Sequence, residues 1–257
     1  MKNINRWPFL ILSLGFILFT GACTKDKHPA GTASLTVINA VAGADMLVAN
    51  FNGSHPMEWY ANASMLQYGA YYNDVEAQYN NQFNAYSGKL QLALFRYPDT
   101  LAQDQPLVNL PLNIPAGSIN SLFLTGTAAA PDTLFTTDHP PYHPIADSSM
   151  GVRFVNLSPG AGPISINLQG QAPGSEAGNL PYKGITGFRN YAVVSSVSSY
   201  VFEFRNAVDG ALLATYAAEG IYSPDTDNFP NRWSHKNVTL AFYGLPSQQA
   251  VLCINNN

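Results

Sequence analysis

The chain has 257 residues, of which only 11% are charged, and its 12 basic and 16 acidic residues leave a formal net charge of −4. That charge content is far below the usual quarter or so of a soluble domain, and no Lys/Arg run occurs, which excludes a nucleic-acid-binding surface. The length suits one large all-β domain or two of ordinary size.

The first predicted element is a signal peptide over residues 1–22. Lys2 and Arg6 make a basic start, Trp7 to Phe19 is nearly all apolar, and Thr20-Gly21-Ala22 supplies small residues. The apolar run is short for a membrane span and fits a secretory segment. Cys23 follows directly, and this arrangement resembles the lipobox of bacterial lipoproteins. The resemblance implies cleavage before Cys23, acylation of Cys23 and a membrane partner reached through the N-terminal lipid. Past the cleavage point, 10 basic residues face 16 acidic ones, a net charge of about −6. Residues 23–33 form a lipidated tether, in which Thr24 to Ala33, at up to about 3.5 Å per residue, could hold the first domain some 30 Å off the bilayer.

A repeat comes next. Leu35 to Gly53 aligns without a gap on Val152 to Gly170 at a constant shift of 117, so that Asn39 meets Asn156, Gly43 meets Gly160 and Asn50 meets Asn167. Leu47, Ala49 and Phe51 alternate with their neighbours as Ile164, Ile166 and Leu168 do, which is strand periodicity. The same shift pairs Asn120 with Asn237 and Leu134-Phe135 with Val251-Leu252. Between these, Leu66-Gln67-Tyr68 meets Leu180-Pro181-Tyr182, and Phe95-Arg96 meets Phe204-Arg205. The spacing predicts a first domain over residues 34–137 and a second over 150–257. Each reads as seven or so short strands in a β-sandwich of immunoglobulin-like kind, with a barrel as the alternative. Asp209-Gly210 between two apolar runs predicts a hairpin. Residues 138–149, with Pro140, Pro141 and Pro144, read as a stiff extended linker.

Val152-Arg153-Phe154-Val155-Asn156-Leu157-Ser158-Pro159 resembles the opening of the domain of unknown function numbered 4397. The segments Ile164 to Leu168, Leu180-Pro181-Tyr182 and Val201 to Arg205 continue the resemblance, and the first copy matches more loosely. The family has no catalytic residues to carry over. Lipoproteins of this shape resemble those of the Bacteroidota, which implies an outer-membrane address on either its periplasmic or its surface side.

Signatures of catalysis are missing. The sequence contains no Gly-x-Ser-x-Gly, His-Glu-x-x-His, Walker or Cys-x-x-Cys motif. Ser195, Ser196, Ser198 and Ser199 read as the polar face of a strand. Cys253 lies in an apolar run and reads as a small buried hydrophobe. His139 and His143 with Asp138 and Asp147 could be drawn as a metal site, but the prolines prevent a helix that would align the rings. Asp225, Asp227 and Asn228 read as an Asx-rich turn. No metal and no cofactor is expected.

The two copies differ in length in two loop regions, and both regions are rich in rings and amides. Trp59, Tyr60, Tyr79 and Tyr86 stand in the first, and Tyr222 and Trp233 in the second. These six are the candidate ligand-binding residues, since rings stack on sugars or anchor protein contacts; the competing reading packs them beneath long loops. The expectation is a non-catalytic, lipid-anchored cell-envelope protein acting as a binding or adhesion module with a protein or glycan partner. The alternative is a carbohydrate-binding accessory lipoprotein of an outer-membrane uptake system, and a hydrolase is a distant third.

Overall fold

Period-two alternation of apolar residues, broken by Gly, Pro and Asn turns, puts the described residues into strands and the turns between them. The computed structural model describes residues 31–51, 64–72, 80–99, 103–223 and 231–256. The lipidation candidate Cys23, together with Trp59, Tyr60, Tyr79, His28 and the Asp225–Asn228 turn, lies outside the described residues. Sixteen strands and no helix occur among the described residues.

The first eight strands are β1 (Thr32–Asn39), β2 (Met46–Asn50), β3 (Met65–Gln67), β4 (Gln82–Tyr86), β5 (Gly88–Arg96), β6 (Val108–Ile114), β7 (Ile119–Thr127) and β8 (Ala130–Asp138). They form two sheets, β4-β1-β7-β8 and β3-β2-β5-β6. Leu35, Val37, Leu122 and Leu124 of one sheet pack on Leu47, Leu66, Leu92 and Leu94 of the other. The next eight are β9 (Ser149–Asn156), β10 (Ile164–Leu168), β11 (Ala177–Leu180), β12 (Arg189–Ala192), β13 (Ser199–Asn206), β14 (Leu212–Glu219), β15 (Asn237–Tyr243) and β16 (Ala250–Asn255). Their sheets, β12-β9-β15-β16 and β11-β10-β13-β14, repeat the first order strand for strand. Even the parallel pairs recur, β1 with β7 and β9 with β15. The protein is two β-sandwiches of eight strands each.

A buried asparagine sets the first corner of both. The Asn39 Nδ2 donates to Ala44 O at 2.8 Å and Leu66 O at 3.1 Å, and its Oδ1 accepts from Val41 N at 3.1 Å. Asn156 repeats this with Gly162 O, Leu180 O and Ser158 N. A carboxamide supplies both donors and an acceptor, so one side chain satisfies the turn and ties it to the third strand. Gly43 (φ 82°) and Gly160 (φ 80°) carry the left-handed step of that turn.

Farther along, the register departs from the sequence alignment. β1 and β9 obey the shift of 117, but β7 and β15 require 118. Leu122 and Leu240 both face their cores, whereas Phe123 and Ala241 both face outward. Asn120, paired with Leu35, therefore corresponds to Val238, while Asn237 pairs with Gly151 on the opposite face. A slip of one residue exchanges the two faces of a strand. The same correction matches Leu134-Phe135 to Leu252-Cys253. The ladders also make Leu94, not Phe95, the counterpart of Phe204, since Leu94 pairs with Ala49 and Phe204 with Ile166. The Asp209-Gly210 hairpin stands as expected, with Gly210 at φ 75° and Ala211 N donating to the Asp209 Oδ1. Ser195 and Ser196 occupy an exposed turn rather than a strand.

Residues Gly31–Asn257 make one compact unit. The outer faces of the β1 and β9 sheets pack together around Ile38, Ala40 and Phe123 from one sandwich and Val155, Leu157, Ala241 and Ile254 from the other. This covers β9 on both sides, and all eight of its residues are buried. The contacts exchange across the seam. Tyr68 meets Tyr243 edge-on at 5.4 Å between ring centroids, and Tyr182 donates to the Thr125 Oγ1 at 3.4 Å; Tyr243 is the counterpart of Thr125. The two copies thus bind each other through the same surface, as a two-fold dimer does. The proline-rich segment is packed, not free. His143 is 7% exposed, with Nδ1 2.9 Å from the Ser149 Oγ and Nε2 3.0 Å from the Asn237 Oδ1, and Asn237 donates onward to Pro141 O.

Candidate functional site

The exchange of contacts fails at one place, and a groove opens there. Ser121 on β7 donates to the Asp138 Oδ2 at 2.6 Å, and its counterpart Thr239 donates to the Asn256 Oδ1 at 2.5 Å. Between them, where β1 has Thr36, β9 has Arg153. Its Nη1 meets the Asp138 Oδ1 at 2.7 Å, and its Nε donates to the Thr239 Oγ1 at 2.7 Å. Both charges are buried. The guanidinium lies over the Phe188 ring, 4.8 Å from its centroid. Nη2 alone is buried without a partner, and such an orphaned donor costs about 1–3 kcal/mol.

A groove of about 680 Å³ runs beside this pair. Thr136 and Thr137 at the end of β8 form one side. His139 and Pro141 close one end. Ile185 to Phe188 and Asn190, leading into β12, form the other side, with Arg153 at the base. Asn190 pairs with Gly151 in the ladder and so shares the face of Arg153. The charge of Arg153 is balanced by Asp138, so the groove offers hydroxyls, a carboxamide, a ring and apolar carbon rather than a net charge.

Two nucleophile candidates among the described residues, Ser149 and Cys253, are held in structural contacts. Ser149 and His143 hydrogen-bond as a nucleophile and base would, but both are buried and the far nitrogen of His143 is committed to Asn237. The same two bonds occupy both ring nitrogens of His143. Burial raises the thiol of Cys253 away from its reactive form, although hydrogen bonds from Tyr216 and Arg232 oppose this. The large shifts elsewhere belong to tyrosines, raised first by burial; Tyr71 is pushed up to about 12.

Of the candidate aromatics, Trp233 is corrected. It is 2% exposed in the core of the second sandwich, and its Nε1 donates to Glu219 O at 2.8 Å. Asn231 pins the loop around it, bonding Ile221 O, Ser223 O and the amides of Trp233 and Ser234. The ring packs among Ile221, Phe242 and the other core residues of the second sandwich. Tyr86 is 74% exposed at the end of β4, and Tyr222 is 54% exposed past β14. They stand on different sandwiches and form no common site. Sequence reasoning passed over Arg153, although one charge within the apolar run Val152 to Val155 was its signal.

The architecture defines a class, a pair of duplicated β-sandwiches sharing a buried seam with a side-chain-lined groove beside it. The chain belongs to the family described as Domain of unknown function (DUF4397), matched over residues 33–167. The match takes in the first sandwich, the proline-rich segment, all of β9 and most of β10. No curated protein matches. Among solved structures, a streptococcal virulence factor described as binding alpha-glucan aligns over 86% of this chain and 96% of its own, at 10% identity and a TM-score of 0.27. A family 26 carbohydrate-binding module from Eubacterium rectale, in complex with maltoheptaose, aligns over 86% and 95%, at 11% identity and a TM-score of 0.26. At TM-scores this low the likeness carries no argument.

Proposed function

We propose that this protein is a lipid-anchored, non-catalytic binding protein of the cell envelope, holding its ligand in the groove beside the seam. Acylation of Cys23 would fix it to the outer membrane, and the second sandwich is a second, diverged copy of the family domain. The observation that carries the reading is the groove itself, open, lined by side chains from both sandwiches and free of an accessible nucleophile–base pair. Concave, partly apolar sites with a few convergent polar groups are the usual form of a binding site. The same groove serves the alternative, a carbohydrate-binding accessory lipoprotein of an outer-membrane uptake system.

Two measurements test this. Cells fed a clickable palmitate should label the full chain and retain it in the membrane fraction, while Cys23→Ser should lose both. Calorimetric titration of the detergent-solubilised full chain with neutral oligosaccharides, heparin and gelatin should give saturable binding to at least one. Gly187→Phe should abolish that binding, because a side chain at Gly187 enters open space. Unlabelled wild-type protein, or silence toward all three probes, would refute the reading.

A further inference from the structure

We infer that the groove takes an uncharged polyhydroxylated ligand, a neutral glycan, with the Thr136 hydroxyl and the Asn190 carboxamide as its hydrogen-bond partners. This deepens the binding role proposed above and rests on it.

The first ground is charge. Asp138 already neutralises Arg153 at 2.7 Å, and among the described residues the groove's lining adds His139 but no carboxylate, Lys or second Arg. An acidic ligand would gain one guanidinium and face the Asp138 carboxylate behind it. A cationic ligand would meet Arg153 directly. An uncharged ligand meets neither penalty.

The second ground is the state of the hydrogen-bonding groups. Arg153 Nη2 lacks an acceptor but is fully buried, so the groups open to a ligand are those of the two walls. The Thr136 hydroxyl donates to Thr137 O at 3.3 Å, which leaves its oxygen as an acceptor. Asn190, on the same face as Arg153, offers both a donor and an acceptor. A ligand that completes this set must accept from one wall and donate to the other. A hydroxyl does both with one atom, whereas a carboxylate only accepts and an ammonium only donates. The third ground is shape. Phe188, Ile185 and Pro141 put apolar carbon between these polar groups, which suits the C–H faces of a sugar ring.

The test uses the detergent-solubilised full chain, titrated calorimetrically with neutral malto-, cello-, xylo- and manno-oligosaccharides, with heparin fragments and with gelatin. At least one neutral series should bind, and heparin should bind at least about tenfold more weakly. Gly187→Phe should remove the binding while leaving the unfolding midpoint in place. Asn190→Ala, at an exposed position, should weaken neutral-glycan binding by about three- to tenfold, the loss of one neutral hydrogen bond, with the unfolding midpoint in place. Undiminished binding by Asn190→Ala overturns the inference. Groove-dependent binding of heparin or gelatin, with none to neutral sugars, overturns this inference and leaves the binding role intact. Neutral-sugar binding that survives Gly187→Phe also overturns it. Silence toward every probe removes both.

Discussion

The first and second sandwiches share strand order, parallel pairs and the asparagine corner, yet they part company on the faces they turn toward each other. Inside, substitutions conserve character: Leu35, Val37 and Leu122 become Val152, Phe154 and Leu240. On the seam, Thr36 becomes Arg153, Tyr71 becomes Ile185 and Gly69 becomes Lys183. A duplicated domain must keep its core to fold, but the surface where its copies meet need satisfy only one partner. Divergence there broke the two-fold exchange of contacts, and the groove lies at the break.

The largest effect should come from stranding Arg153. Asp138→Ala leaves a buried guanidinium without its counter-ion and should cost about 3–5 kcal/mol in denaturant unfolding. Thr36→Ala, at the matching place in the first sandwich, should cost far less, and equal losses would show that the seam is not asymmetric. Next come the corners. Asn39→Ala and Asn156→Ala each orphan three buried backbone groups and should each cost about 1–3 kcal/mol or more. A large difference between them would show that one sandwich tolerates an open corner.

The left-handed position after the third strand sharpens the comparison further. Gly69 (φ 62°) and Lys183 (φ 60°) both donate their amides to the corner asparagine's carbonyl. A Cβ on Gly69 would overlap the Tyr243 hydroxyl, while Lys183 points to Asp132 at 2.8 Å. Gly69→Ala should therefore destabilise by about 1–3 kcal/mol. Lys183→Gly should change stability by less than about 1 kcal/mol, since an exposed pair is worth little.

The last comparison is a pH dependence at Tyr71, whose place in the second copy is taken by Ile185. Tyr71 lies in the seam, where its hydroxyl donates to Asn255 O at 3.1 Å and accepts from Gln82 at 2.8 Å. Burial raises it from 10.0 to about 12. The unfolded chain ionises first, so this contribution is intact below pH 10 and declines as the pH rises from 10 to about 12. Tyr71→Phe should flatten that part of an alkaline stability curve. An unchanged slope would place the titration elsewhere.

Local pattern carried much of the architecture. The 117-residue repeat matched β1 to β9 end to end, and Asp209-Gly210 marked its hairpin, because periodicity and turn chemistry act between near neighbours. The site was less legible. Trp233 looked like a loop aromatic and is core, because burial depends on what folds over a residue. Asn120 and Asn237 looked equivalent and face opposite ways, because loops of unequal length intervene and one residue of slip reverses a strand. Arg153 stands in the sequence as one charge in an apolar run, and its role appears only where Asp138 and Phe188 reach it as the sandwiches meet.

By itself, then, the amino-acid order determined an all-strand chain, its duplication and the corners that close each copy, all of which rest on short-range alternation and on residues with special backbone or hydrogen-bonding capacity. Only the tertiary structure decided the register of the later strands, the packing of the proline-rich segment and the groove. These depend on contacts between residues far apart in the chain, whose meeting is set by the burial of two whole sheet faces against each other.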